Sequence, residues 1–196
     1  MSNIGKTYWA ERLAAEAGFE HVNCDALIGE KLISDFKENI VAYDIAAWMG
    51  QPYEARYGAA SQKYMDSENA VMQTIITRLR GAKLTRPLAI DTSGSVIYAN
   101  KDILRELAAL TRIVYLETST EHTAELFRRY IEHPKPVIWG GAFIPRANEA
   151  PTEALQRCYP LLLNDRAGRY AEIAGIRVPF EQHEDPQAGP DIFMRR

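Results

Sequence analysis

The residues whose types and spacing most directly suggest chemistry stand at the start of the chain, in Asn3-Ile4-Gly5-Lys6-Thr7. They form the second half of the phosphate-loop pattern: a glycine, four residues, then Gly-Lys-Thr opening a helix. Gly5 lets the backbone approach phosphate oxygens, and the helix N-terminus turns free amides and positive potential toward them. Lys6 reaches the outer phosphates and the Thr7 hydroxyl can ligate magnesium. Ser2, Asn3, Ile4, Gly5, Lys6 and Thr7 are therefore the expected nucleotide-binding residues. Gly-Lys-Thr also opens ordinary helices with an exposed lysine, so the elements downstream must carry part of the argument. The first glycine of the pattern would fall one position before Met1, without the apolar strand that usually leads into such a loop. The expected explanation is a start further upstream. The alternative is a chain that folds around a gap in its sheet and has lost nucleotide binding, since neighbouring strands would keep unpaired backbone groups.

These residues need a framework of alternating helices and short strands, and the sequence supplies that alternation. Ala, Glu, Leu and Arg dominate residues 6 to 17 and Gly18 stops them, which predicts a first helix. Strands are expected over 19–23, 87–91, 112–116 and 175–179. Helices are expected over 25–33, 40–48, 52–80, 100–110, 120–131 and 152–173. Residues 133–151 hold four prolines and Gly140-Gly141 alongside Val137, Ile138, Trp139 and Phe143, which reads as a structured flap. The stretch 181–196 is polar, with Pro186 and Pro190, and is expected to be a poorly ordered tail. The expected organisation is one domain over 1–180 with a lid at about 132–151, followed by that tail.

At this point the chain resembles the shikimate kinase family of small P-loop kinases, over almost its full length. The resemblance implies an α/β fold of P-loop NTPase type: a three-layer sandwich with a mostly parallel sheet, a lid, and here no first strand. The Asp-x-Asp pair of the family's second strand reads Asn23-Cys24-Asp25. The surviving Asp25 is thus implied as the group that orients or deprotonates the acceptor hydroxyl, with a helix N-cap as the competing role. The family's Phe-Arg-x-x-Glu reads Tyr64-Met65-Asp66-Ser67-Glu68, so the arginine that grips the carboxylate of shikimate is replaced by Met65. Its Gly-Gly-Gly turn becomes Ser93-Gly94-Ser95, keeping Gly94 as a substrate-binding position. Both changes point to a different acceptor. Leu88-Ala89-Ile90-Asp91 has the form of a strand ending in a magnesium-holding carboxylate, although an aspartate also initiates turns.

The family lid's Arg-Pro-Leu-Leu is matched by Lys135-Pro136-Val137-Ile138, making Lys135 the implied lid cation. Arg128 and Arg129 end a helix where one could stack on adenine, or simply form a solvated helix end. Arg166 and Tyr170 match the family's Arg-x-x-x-Tyr, so Arg166 is implied to meet an anionic acceptor; an intrahelical ion pair with Asp165 or Glu172 is the competing role.

Composition sets the outer limits. Of 196 residues, 46% are hydrophobic and 25% charged, enough for one sizeable core. The net charge of -3 offers no basic field for nucleic acid or anionic membrane. Two cysteines, Cys24 and Cys158, and four scattered histidines make neither a disulfide framework nor a zinc site. No apolar run is long enough to span a bilayer and no signal-peptide pattern is seen, so a cytoplasmic location is expected. The leading expectation is an ATP- and magnesium-dependent kinase transferring the γ-phosphoryl group to a hydroxyl of a small anionic metabolite. The alternatives are a catalytically degenerate P-loop protein with a nucleotide-binding or regulatory role, and a nucleoside or nucleotide kinase using Tyr53, Tyr57 or Tyr64 to stack a base.

Overall fold

The computed structural model describes residues 4–36, 44–81 and 84–194. Helix α1 spans Lys6–Ala17 and ends on Gly18, whose φ of 74° is the left-handed cap that glycine adopts without a Cβ clash. Strand β1 (Glu20–Asn23) follows, then α2 (Cys24–Phe36), a short α3 (Ile45–Met49) and the long α4 (Tyr57–Gly81). Next come β2 (Leu88–Asp91), a 3-10 turn at Val96–Tyr98, α5 (Lys101–Leu110), β3 (Val114–Leu116), a 3-10 turn at Thr120–His122 and α6 (Thr123–Glu132). Helix α7 (Pro151–Ile173), β4 (Ile176–Val178) and α8 (Phe180–His183) complete the order, with a last 3-10 turn at Pro190–Phe193.

The fold is mixed α/β with short parallel strands, but the strands form two separate pairs. β1 pairs in parallel with β2, Val22 opposite Ile90 and Asn23 opposite Asp91. β3 pairs in parallel with β4, Tyr115 opposite Arg177. Among the described residues no strand joins the pairs. The core runs through Ile28, Leu32, Met72, Ile76, Leu155, Leu162 and Val178, all nearly inaccessible to solvent. No described helix is long and apolar enough to cross a membrane.

Three expectations change. The tract expected to be helical from residue 52 enters α4 only at Tyr57, because Gln51–Arg56 folds as turns in which the Gln51 amide donates to the Glu54 carboxylate. The helix expected over 40–48 is seen as α3 from Ile45, N-capped by Asp44, and residues 40–43 lie outside the described residues. Residues 181–194, expected as a loose tail, are folded. His183 is buried, and Phe193 packs edge-on against Trp9 with ring centroids 5.0 Å apart. Trp9 also donates its indole N–H to the His183 carbonyl. A few apolar side chains anchored on α1 outweigh the polar composition of that stretch.

Candidate active site

Gly5 stands at the N-cap of α1 with φ 91° and makes no side-chain cap hydrogen bond, so no cap side chain occupies the first-turn amides. Gly5, Lys6, Thr7 and Tyr8 line one wall of a cavity of about 480 Å³. The other walls are Asp25 from the start of α2, Tyr64 from α4, Gly94 from the turn after β2, and Arg129, His133, Lys135 and Pro136 from α6 and the segment after it. Parallel β1 and β2 bring α2 and the Gly94 turn to the same end of the molecule, beside the start of α1. Residues more than a hundred positions apart thus share one space.

The Thr7 hydroxyl donates to Asp91 Oδ2 at 2.6 Å, and His21 Nε2 lies 3.7 Å from the same oxygen. Lys6 is half-buried, and this burial lowers its pKa against the opposing pull of Asp25 and Asp91. Asp25 is open to the cavity but surrounded by protein elsewhere, and this desolvation raises its carboxyl above the usual range, with Lys6 opposing. The buried Tyr64 donates its hydroxyl to Asp25 Oδ1 across 3.5 Å. The helix-cap role considered for Asp25 belongs to Asn23, whose Oδ1 accepts from the Ala26 amide at 3.0 Å.

The structure therefore brings together Gly5, Lys6, Thr7, Asp25, Gly94, Arg129 and Lys135 on one cavity, with Asp91 bonded to Thr7. Three expected residues fall elsewhere. Ile4 is 3% exposed and buried in the core beside the site. Arg128 is turned to solvent and paired with Glu125 and Glu132 at 2.8 and 2.9 Å, partners supplied by the helical repeat. Arg166 does not line the cavity; it is 2% exposed and donates to the Ile138 carbonyl at 2.8 Å. The ion pair considered for Arg166 is made by Arg169, 3.0 Å from Asp165. Ser2 and Asn3 lie outside the described residues. Of the tyrosines considered for base stacking only Tyr64 lines the cavity: Tyr53 sits beside Phe143, and Tyr57 bonds the backbone of Val137 and Trp139.

A smaller cavity of about 250 Å³ adjoins through Arg129 and is lined by Ile4, His122, Glu125, Leu126, Phe180 and Glu184. The His122 and Phe180 rings lie 4.1 Å apart within it, and His122 Nδ1 is buried without a partner. Sequence reasoning also missed Glu68. Its carboxylate is fully buried and accepts from the hydroxyls of Ser93 and Ser95, the residues flanking Gly94. Burial pushes its pKa up to about 7 against those two hydrogen bonds. The two serines flanking Gly94 and the glutamate are all visible in the sequence, but their pairing depends on the turn packing against α4.

The donor set suits a hard cation. Thr7 and Asp91 place a hydroxyl and a carboxylate oxygen side by side, and magnesium is commonly held by one or two such groups plus phosphate oxygens and water. Among the described residues no group of three or more His, Cys, Asp or Glu side chains is arranged to hold a metal ion, at this site or elsewhere. Comparison with known proteins returned no matching family model and no matching curated protein.

Proposed function

We propose that this chain is a cytoplasmic, ATP-dependent small-molecule kinase of shikimate kinase type, with a P-loop fold and an acceptor other than shikimate. One observation carries the reading: Lys6, Thr7, Asp25 and Lys135, from three distant parts of the chain, line a single cavity at an uncapped helix N-terminus. Lys6 and the α1 amides would hold the phosphates, and Thr7 with Asp91 would hold the magnesium that arrives with ATP. That ion would neutralise phosphate charge. Asp25 would orient the acceptor hydroxyl and accept its proton, a task that its raised pKa suits. Lys6 and Lys135 supply cations where charge builds during transfer. The neighbouring His122 and Phe180 cavity is placed to receive the base of the nucleotide, with Arg129 between the two spaces.

The acceptor is expected to be anionic. Arg166 is a buried guanidinium whose Nε has no partner, and among the described residues no carboxylate lies within ion-pair distance of it. Although Arg166 does not line the cavity, its charge acts on Lys6 at the cavity wall, and the added positive potential favours an anionic acceptor there. Met65 packs against the core, so it offers no second fork of donors for a carboxylate.

Calorimetric titration with ATP and magnesium tests the reading. Micromolar binding that Lys6→Ala abolishes is the expected result, and transfer from ATP to a panel of hydroxy acids is then expected to exceed background hydrolysis. Absence of binding by both proteins would overturn the nucleotide role. A second reading rests on Asn23, which is spent on capping α2 where the family has a carboxylate. It makes the chain a catalytically degenerate nucleotide-binding protein, and predicts ATP binding without transfer to any acceptor.

A further inference from the structure

Behind the wall of the Asp25 cavity lies a second carboxyl that solvent does not reach. Glu68 is 0% exposed, and its two oxygens accept from the Ser93 and Ser95 hydroxyls, that of Ser95 across 2.9 Å. The two serines are buried, their hydroxyls stand 2.9 Å apart, and only Gly94 between them lines the cavity. Tyr64, one helical turn before Glu68 on the same face of α4, sits between the two carboxyls. Its hydroxyl donates to Asp25 Oδ1 across 3.5 Å, and the Ser93 and Ser95 hydroxyls reach its oxygen as hydrogen-bond partners. Hydroxyl groups thus connect the cavity carboxyl to a carboxyl outside the cavity.

This chain can be ordered in two ways. Burial holds the Tyr64 phenol neutral, so it has one proton and donates it to one acceptor at a time. Ionised Glu68 draws both serine protons to its oxygens, and the serine lone pairs then compete with Asp25 for the phenol proton. Protonated Glu68 instead gives its own proton to one serine, whose proton turns to the Tyr64 oxygen and directs the phenol proton to Asp25. Ionisation of Glu68 therefore removes a donor from Asp25 and places a like charge behind it, and both effects tighten the hold of Asp25 on a proton. Only O–H bonds change, and the proton that Glu68 loses leaves to water through the cavity that Tyr64 and Asp25 line.

The other groups facing Glu68 do not titrate near neutrality. Cys24 of α2 and Tyr170 of α7 are held neutral by burial, and Arg166 of α7 carries a fixed charge that favours the ionised carboxyl. Asp25 is thus the neighbour whose charge changes.

We propose that Glu68 is a positioning residue for the cavity, setting the proton affinity of Asp25 through the Ser93 and Ser95 hydroxyls and the Tyr64 phenol. The coupling stands on this geometry alone. Its consequence rests on the kinase reading: Asp25 becomes the stronger acceptor of the hydroxyl proton once Glu68 is ionised.

Carbon-13 NMR of the full chain labelled at its aspartate and glutamate carboxyls, titrated without nucleotide, provides the test. Asp25→Asn and Glu68→Gln each assign a signal by its loss. The Asp25 signal of the wild type is expected to move in two steps, its own at lower pH and a second where Glu68 titrates. Glu68→Gln is expected to abolish the second step, and Asp25→Asn to lower the Glu68 midpoint by about half a pH unit or more. Tyr64→Phe is expected to shrink the second step at least about twofold and to raise the midpoint of the first, because Asp25 loses its donor. A single step for Asp25 in the wild type, or a Glu68 midpoint unmoved by Asp25→Asn, would overturn the proposal, as a merely structural Glu68 requires. A second step of full size in Tyr64→Phe would overturn the hydroxyl chain and leave a field effect. If Glu68→Gln does not fold, the wild type, Asp25→Asn and Tyr64→Phe decide the matter. ATP is absent throughout, so failure here is distinct from failure of the kinase reading, which the calorimetric titration reports.

Discussion

Asp91, Asp25 and Glu68 show how differently three acidic side chains behave within one small region. Asp91 is buried and receives the Thr7 hydroxyl, while Asp25 faces the cavity with a raised pKa. Glu68 faces no cavity and anchors the turn that carries Gly94. Its pKa of about 7 has a definite sign in stability. The folded state holds a proton that the unfolded state has released above the ordinary glutamate range, so stability is greatest at low pH and declines as pH rises toward 7. The contribution lost is on the order of 3 kcal/mol, with the opposing serine hydrogen bonds already included in the shift. Asp25 acts in the same direction. Urea denaturation at pH 5 and pH 8 is expected to show the wild type losing stability across that interval and Glu68→Gln losing markedly less. An equal pH dependence in both proteins would exclude Glu68 as the titrating group. The sequence offered Lys6 through the Gly-Lys-Thr pattern and Asp25 through a family resemblance, whereas nothing in the spacing of Glu68 shows that two serines 25 and 27 positions away reach its oxygens.

At the scale of elements, the segment between α6 and α7 is the informative one. It has no helix or strand, yet Val137, Ile138 and Trp139 are 6%, 7% and 2% exposed. Two side chains fasten its backbone. Tyr57, the first residue of α4, donates to the Val137 carbonyl at 2.9 Å and accepts from the Trp139 amide at 3.0 Å, while Arg166 of α7 holds Ile138. Lys135 lies just before this clamp, which sets where its ammonium stands at the cavity wall. Tyr57→Phe keeps the ring and leaves a buried amide and carbonyl unsatisfied, at a cost of about 1–3 kcal/mol. The expected outcome is that loss in chemical denaturation, with faster amide exchange at 137–139 while α4 keeps its protection. Unchanged exchange there would remove Tyr57 from the clamp. The flap was legible as structured from its apolar residues among prolines. That it is held by a phenol and a guanidinium was not, because both partners are distant in sequence.

At the scale of the whole molecule, the two strand pairs are held together by helices, with no continuous sheet among the described residues. The C-terminal stretch takes part in this. Phe193 rests on Trp9 and lines a cavity with Leu88 of β2 and Val114 of β3, one residue from each strand pair. Phe193→Ala removes an edge-on aromatic pair and exposes Trp9, for an expected loss of about 1–2 kcal/mol by thermal or urea unfolding. A change within experimental error would show that the C-terminal turn contributes nothing to the packing of α1.

The sequence by itself determined the alternation of helices and strands, the approximate positions of the four strands, the Gly18 stop and the start of a helix at Gly-Lys-Thr, because propensities, caps and hydrophobic periodicity are local properties of the chain. It left two outcomes open for the sheet, a strand supplied from further upstream or a gap with unpaired edges. Only the tertiary structure decided how the described strands pair, which of the two terminal arginines of α6 reaches the cavity, that Arg166 turns inward, and that Asn23 rather than Asp25 caps α2. Each of those outcomes depends on which neighbour completes a hydrogen bond or covers an apolar face, and that neighbour is set by packing between elements far apart in the sequence.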